Sequence, residues 1–333
     1  MTSPFRNTHI PFDIEQPVFF NENCIDGAKA HLLDDSIDVI ITDPPYGIGG
    51  DTLHRHYNRD ESFVIDGYVE VPKSEYQHFS DQWISQAARV LKPGGSLFIV
   101  SGYTNLFEIL AALRKTSLKE VNHIIWKYNF GVYTTRKFVT SHYHILFYEK
   151  PGGKRPFHRF CRFSEKEKSP DGRSLLYQDL EDVWILNREY KPAAQKNKNE
   201  LPFSLLAKLL QYTSQEADIV ADFFLGSFST AKVAKALNRK VLGFELNKQA
   251  FSYQVKQVEQ IIPGSKLEAL KRGKDEQPKN RGKIWEPQEL ERLFTTYDSL
   301  QKKGYTKTQC VELLGEQFGR GRFAVQNALK RKP

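Results

Sequence analysis

The sequence predicts a doubly wound α/β domain, a mostly parallel sheet with helices on both faces, followed by a small all-α unit. Three observations carry this. Short apolar runs alternate with stretches of helical periodicity through residues 17–260. Between 219 and 245 the order strand, small-residue turn, helix, strand, acidic residue appears, the arrangement that holds a nucleoside at strand ends. After Pro263 the composition turns polar and basic, and three short helical patterns follow.

The chain has 333 residues, 40% hydrophobic and 26% charged, enough for one large core and something smaller. No apolar run approaches membrane length and the N-terminus, MTSPFRNTHIPFD, lacks a signal-peptide pattern. No membrane partner is expected. Cys24, Cys161 and Cys310 are odd in number and far apart, so they suit neither a disulfide framework nor a zinc site. A reducing cytoplasm and no metal are the expectations. The net charge of +8 is unevenly placed: residues 264–333 hold 16 Lys/Arg against 9 Asp/Glu, and residues 151–173 hold 7 against 3. Basic charge gathered in two segments points to a polyanion partner.

Taken in order, residues 17–33 read as a short strand, a turn at Asn21-Glu22-Asn23 and a helix. The apolar run Ile37 to Thr42 is a buried strand that stops in Asp43-Pro44-Pro45-Tyr46. Two prolines fix φ and remove two backbone donors, so this turn is stiff and leaves carbonyls unpaired at the strand's C-terminal edge. Asp43 and the Pro44 carbonyl can each accept one hydrogen of an exocyclic amino group, and Tyr46 can stack on the ring that carries it. The polar stretch from Gly47 to Tyr68 includes His54, Arg55, His56 and Tyr57, a cluster better suited to phosphate or base contacts than to metal.

Residues 75–91 show helical spacing, Lys92-Pro93-Gly94-Gly95 ends that helix, and Ser96 to Val100 is a buried strand. A helix over 104–115 and strands at 121–126 and 143–148 follow. From Pro151 to Pro192 the pattern breaks into a basic, aromatic, turn-rich segment that reads as an insertion projecting from the sheet. Arg155, Arg159 and Arg162, interleaved with Phe157, Phe160 and Phe163, suggest a nucleic-acid surface; inward-packed phenylalanines of a small hairpin are the other reading. Regular structure resumes with a helix at 202–212, a strand at 219–223, a helix at 231–237 and a strand at 240–245. Glu245 falls 19 residues after Gly226, a spacing suited to a carboxylate on ribose hydroxyls. The loop has Gly226 and Ser227 but not a full G-x-G-x-x-G. It therefore favours a nucleoside without pyrophosphate, such as S-adenosylmethionine, over NAD or FAD.

With these residues in place, the chain resembles a beta-class DNA amino-methyltransferase over about residues 17–260. The likeness rests on S-I-D-V-I-I-T-D-P-P-Y-G, on R-V-L-K-P-G-G-S-L-F and on D-F-F-L-G-S-F-S-T-A-K-V-A followed by G-F-E, in that order. The order, tetrapeptide first and cofactor loop late, implies a circularly permuted Rossmann-like sheet. The resemblance implies that Asp43, Pro44, Pro45 and Tyr46 hold a flipped base. It implies that Asp43, Asp222, Phe224, Gly226, Ser227, Glu245 and Asn247 meet S-adenosylmethionine, with Asn23 and Cys24 beside its adenine. Three positions depart from the family pattern: Phe228 replaces the second glycine of F-x-G-S-G-T-T, Asn23 stands where Asp is frequent, and Leu201 replaces a lysine. Lys198 or Asn199 is the expected substitute for that lysine.

The resemblance further implies methyl transfer to adenine N6 in double-stranded DNA, since Asp at the first tetrapeptide position leans to adenine and Ser to cytosine. Cytosine N4 is the alternative, followed by an RNA amino-methyltransferase and, from another class, a non-catalytic DNA-binding regulator. Expected domains are a catalytic domain over 17–263, a target-recognition insertion over 151–195, a basic linker over 264–283 and a helix-turn-helix-like DNA-binding module over 284–333, for which a plain three-helix cap packed on the catalytic domain is the other reading. Expected DNA contacts are His54, Arg55, His56, Arg136, Lys137, Arg155, Arg159, Arg162, Arg320, Arg322 and Lys330. A cognate restriction endonuclease and a homodimer are the further partners it suggests. The expected location is the cytoplasm of a bacterium, or of one carrying the gene on a phage, in association with the nucleoid.

Overall fold

The computed structural model describes residues 16–45, 71–129, 135–187, 200–267, 280, 283–302 and 304–332. The chain divides into two compact units, residues 1–267 and 268–333.

In the first unit the described strands form one eight-stranded sheet. They are β1 (Val18–Phe20), β2 (Ile37–Thr42), β3 (Leu91–Ser101), β4 (Lys119–Lys127), β5 (His142–Glu149), β6 (Val183–Ile185), β7 (Ile219–Asp222) and β8 (Lys240–Phe244). Their spatial order is β1-β8-β7-β2-β3-β5-β4-β6. All neighbours are parallel except β5, which runs against both β3 and β4. Seven strands therefore end at one common edge, which in an open α/β sheet is the ligand edge. Asp43, Gly102, Tyr128, Phe223 and Glu245 all follow directly from strands that end there.

The central strands are mostly apolar on both faces because both are covered, and Asp38, Thr42 and Asp222 are exceptions in β2 and β7. Helices α1 (Cys24–His31), α2 (Tyr76–Val90) and α3 (Leu106–Leu113) build the core of one face around Trp83, Ile84, Ile40, Leu97, Ile99 and Phe223. The alternate residues Val39, Ile41, Phe98, Val100, Val220 and Val241 are also buried. They belong to the opposite face, where α5 (Phe203–Thr213), α6 (Ser229–Ala236) and α7 (Lys248–Glu259) lie.

Several elements differ from the sequence expectation. Lys92-Pro93-Gly94-Gly95 does not merely end a helix: β3 begins at Leu91, with Gly94 at φ +82 where an added Cβ would meet the Lys154 carbonyl at 2.8 Å. The expected helix at 104–115 opens with a 3-10 turn, Tyr103–Asn105, ahead of α3. The segment 151–192 does not simply project. It contains α4 (Leu175–Leu180) and β6, and β6 joins the sheet beside β4. Only three residues long, with two of them exposed, β6 carries too little apolar periodicity to be seen in sequence. Helix α7 has no counterpart among the elements expected from sequence.

The second unit holds α8 (Pro287–Lys302), α9 (Lys307–Phe318) and α10 (Arg322–Leu329) around Leu293, Val311, Leu314, Phe318, Val325 and Ala328. Thr306 and Gln309 form the expected capping box: the Thr306 amide donates to Gln309 Oε1 at 2.9 Å and the Gln309 amide to Thr306 Oγ1 at 3.4 Å.

Candidate active site at the C-terminal sheet edge

β2 and β7 are neighbours in the sheet although 180 residues separate Thr42 from Asp222. Thr42 Oγ1 donates to Asp222 Oδ1 at 2.9 Å, in a position closed to water. The Phe224 amide donates to the same oxygen at 3.0 Å, and the Thr230 side chain also bonds this carboxylate. Burial pushes the Asp222 carboxyl up to about 6 against these hydrogen bonds. Asp222 thus fastens the strand that leads into Asp43 to the turn that leads into Gly226. Its carboxylate faces protein donors.

A second tether acts from α2. The Tyr76 phenol, 1% exposed, donates to the Pro45 carbonyl at 2.7 Å and is bonded by the Asn105 side chain. Burial holds this phenol well above its ordinary value, so it stays a donor. The Pro45 carbonyl is therefore engaged. Asp43 and Pro44, half-buried and buried respectively, sit between two fixed points, one on each side of the turn. Sequence reasoning missed Tyr76; nothing in its place on an amphipathic helix marks it out.

Along the same edge, β8 ends at Glu245. Its Oε2 accepts from the Gly226 amide at 2.8 Å and its Oε1 from the Asn247 amide at 2.7 Å. Burial raises its carboxyl, and the amides of Asn247, Gly226 and Leu246 oppose that shift. An ionised carboxylate accepts at about four lone-pair sites, so capacity for hydroxyl donors remains. Gly226 has φ +50, and a Cβ added there would meet only the Phe224 carbonyl, at 3.8 Å, so the space above the loop is open. Ser227 Oγ pairs with Ser229 Oγ at 2.6 Å. Asn247 caps α7 through the Ala250 amide at 2.9 Å. Asn23 caps α1 through the Ile25 amide at 2.7 Å, and Cys24 behind it is buried, with its thiol driven upward by burial. Asn21 ties this β1–α1 turn to the Glu245 and Leu246 carbonyls at 2.7 and 3.1 Å. Asn23, Asp43, Asp222, Gly226, Ser227, Glu245 and Asn247 are thus all carried by turns at one edge. Phe224 packs inward, edge-on to Trp83 at 5.3 Å.

Phe228 occupies the place where the family pattern has glycine, and it keeps a glycine-like backbone, φ +59. Its ring is buried against Phe19 of β1 and Phe251 of α7, at centroid distances of 5.0 and 6.0 Å.

The expected DNA contacts divide sharply. Arg136 and Lys137 are exposed in the segment between β4 and β5, at the site edge, next to Phe138, which is 98% exposed. Arg155 and Arg162 must be corrected. Arg155 pairs with Glu149 at 2.7 Å and lies over the Phe147 and Phe157 rings; Arg162 binds Asp179 at 2.8 Å and Gln211 at 2.9 Å. Phe157 stacks on Tyr212, whose carbonyl accepts the His158 amide. Tyr212 lies in the last turn of α5, Glu149 ends the reversed strand β5, and both therefore lie where the parallel strands begin. β2 alone separates the two edges by roughly 17–20 Å. These arginines knit the opposite edge together. Arg159 on the same segment is exposed, stacks over Phe160 and approaches Glu165 at 3.7 Å. Arg320 is corrected too: it is 5% exposed and internally bonded throughout. Lys330 is exposed. Tyr46, His54, Arg55, His56, Lys198 and Asn199 lie outside the described residues, as does the side chain of Arg322. Among the described residues no group of three or more His, Cys, Asp or Glu could hold a metal ion, and no helix is long and apolar enough to cross a membrane.

Parallel strands β2, β7 and β8 thus bring the Asp43-Pro44 turn, Asp222 and the Glu245 carboxylate to one edge of an open α/β sheet, the edge where such sheets hold ligands. The model of the N6/N4 methyltransferase family, described as DNA methylase, matches residues 37–257, and the chain belongs to that family. It is 29% identical over 237 residues to the type II methyltransferase M.HpaI of Haemophilus parainfluenzae, covering 68% of this chain and 70% of that protein. It is 27% identical over 229 residues to the type II methyltransferase M2.DpnII of Streptococcus pneumoniae, covering 68% and 83%. In fold it is similar to a DNA modification methylase of Thermus thermophilus solved with S-adenosyl-L-methionine, with TM-score 0.54, 21% identity, and 75% and 95% of the two chains covered. It is also similar in fold to the cytosine-N4-specific PvuII DNA methyltransferase, with TM-score 0.54, 12% identity, and 74% and 91% covered.

Proposed function

We propose that this DNA methyltransferase modifies the exocyclic N6 of adenine in double-stranded DNA, with S-adenosylmethionine as methyl donor, after flipping the base from the duplex. The observation that carries the reading is the Thr42–Asp222 bond, which locks the Asp43-Pro44 turn beside the Gly226–Glu245 loop. In this reading Glu245 takes the ribose hydroxyls, the open space over Gly226 and Ser227 takes the methionine end, and the turns at Asn23-Cys24 and Asn247 border the adenine. Lys198 and Asn199 remain assigned to the cofactor from sequence alone. When bound, the cofactor supplies an electrophilic methyl group.

The rest of the chemistry belongs to the chain. An adenine amino nitrogen is a poor nucleophile because its lone pair is delocalised into the ring. Hydrogen bonds from its two N–H groups to the Asp43 carboxylate and the Pro44 carbonyl localise that pair. They strengthen as positive charge develops on nitrogen, so they favour the transition state over the ground state. Tyr46 supplies the stacking lost on leaving the duplex. Asp43 accepts the proton after transfer, when the nitrogen has become acidic; an ordinary carboxylate is too weak to take it before. Arg136, Lys137 and Phe138 are assigned to the duplex at this edge, and His54, Arg55 and His56, which follow β2 in sequence, to phosphates or bases.

Incubation of unmodified DNA with the protein and labelled cofactor, followed by mass spectrometry of the nucleosides, tests the reading. N6-methyladenine is expected. N4-methylcytosine alone would replace adenine by the other member of the family's pair, and labelled RNA in place of DNA would change the polymer.

A further inference from the structure

The second unit has the construction of a reading head. Helix α9 stops at Phe318, Gly319 turns left-handed at φ +58, and the Arg320 amide returns to the Gly315 carbonyl at 2.9 Å, closing a Schellman-type end. Three residues, Gly319, Arg320 and Gly321, then deliver the chain to α10. The middle residue pins the turn. Arg320 donates to Glu289 at 2.6 and 3.2 Å, to the Asn280, Lys283 and Ile284 carbonyls, and lies over the Trp285 ring at 4.4 Å. A two-helix hairpin with a short glycine-bearing turn is thereby held rigidly against a third helix.

What that rigidity presents is the outward face of α10. Val325 and Ala328 face the core, with Leu329 packed partly against it. Asn327, Lys330 and Arg331 are exposed and Gln326 is half-exposed. Among the side chains described on this face none is a large apolar one. Amides and cations are the side chains that read adenine and guanine edges and hold phosphates. Charge follows the same division. Over residues 280–333 there are eleven Lys/Arg and six Asp/Glu, and none of the acids lies within Arg322–Lys332.

We propose that α10 is a second DNA-reading element, a recognition helix for the major groove, distinct from the catalytic edge. Asn327 and Gln326 contact base edges, and Lys330 and Arg331 contact phosphates. Because both units share one chain, a grip by α10 raises the effective concentration of duplex at the catalytic unit. The proposal rests on the methyltransferase reading only for its choice of polymer.

The test uses the full chain and fluorescein-labelled duplexes selected by it from a random pool, with binding followed by anisotropy across a salt series. Lys330→Glu combined with Arg331→Glu is expected to weaken binding at least tenfold and to lower the salt slope by about 2. Asn327→Ala is expected to lose about 5- to 150-fold on the selected duplex, with little change on unselected DNA. In both variants kcat for methyl transfer at saturating DNA stays unchanged while KM for DNA rises. Circular dichroism and melting matching the parent protein establish that these exposed changes leave the unit folded. Unchanged affinity and salt slope in the charge-reversed variant would overturn the proposal, as would selection of the same base pattern by the parent and Asn327→Ala. Duplex binding that depends on Lys330, in a chain that transfers no methyl group, would overturn the enzymatic reading and leave this one standing.

Discussion

Two basic, aromatic segments of the catalytic unit look alike in sequence and stand at opposite edges of the sheet. Residues 135–138 place Arg136, Lys137 and Phe138 in solvent at the edge that carries Asp43. Residues 155–163 lie at the other edge, where Glu149, Asp179 and Gln211 take up the guanidinium groups of Arg155 and Arg162. The Arg162 partners, Asp179 and Gln211, are supplied by more distant chain. Gln211 is 49 residues from Arg162, and composition alone cannot show that a cation has already found its anion. Topology decides the rest, since the one reversed strand, β5, carries the chain away from the site before the second segment begins.

Four experiments put this contrast at risk. The largest effect belongs to the site edge itself. Asp43→Ala is expected to lower kcat by at least about 100-fold, in line with removal of one preorganised transition-state partner, while equilibrium dialysis shows cofactor binding retained. Unchanged turnover would remove Asp43 from the chemistry. Next, Phe138→Ala with Lys137→Ala should weaken duplex binding by about tenfold or more, from one lost stacking contact and one phosphate contact. Arg162→Ala should leave duplex binding alone and cost about 1–2 kcal/mol of stability in urea, since it removes the bonds to Asp179 and Gln211 while Tyr212 and Lys208 stay on Asp179. The reverse pattern would mean the two segments had been assigned the wrong way round.

Tyr76→Phe comes third. It removes the bond to the Pro45 carbonyl at a buried site and should reduce kcat about fivefold to tenfold, with KM for the cofactor unaltered. The last effect is one of pH, and it bears on stability alone. Asp222 is raised from 3.8 to about 6 in the folded chain. The folded state therefore holds this proton more tightly than the unfolded state. The contribution is fully present below pH 4 and is lost as pH rises through about 6. The stability of the parent protein minus that of Asp222→Asn should fall between pH 4 and pH 7 by no more than about 3 kcal/mol. A flat difference would show that the carboxyl titrates normally.

Much of the fold is written in the apolar runs. Ile37–Thr42, Ile219–Asp222 and Lys240–Phe244 each declare a buried strand, and each hands over directly to a site turn. The spacing from Gly226 to Glu245 is legible because both residues sit within one strand–helix–strand unit and meet in a 2.8 Å bond. Contacts across the chain are not legible. Thr42 and Asp222 give no local sign of each other, and neither do Tyr76 and Pro45. Arg320 shows how charge misleads: a cation flanked by glycines in a basic tail reads as a DNA contact, yet Glu289 and Trp285, more than thirty residues upstream, make it the pin of a helical core.

The strand order also has a consequence for how the chain comes into being. β1 and β2 are made first, yet they stand apart in the finished sheet, held open for β7 and β8, which are made last. Until residues 219–244 leave the ribosome, β2 has a bare flank and β1 has no neighbour, a situation that invites pairing with the wrong chain. A nascent fragment ending before Ile219 should therefore lean on chaperones, and methyl transfer should begin only once the final two strands have slid into the waiting gap.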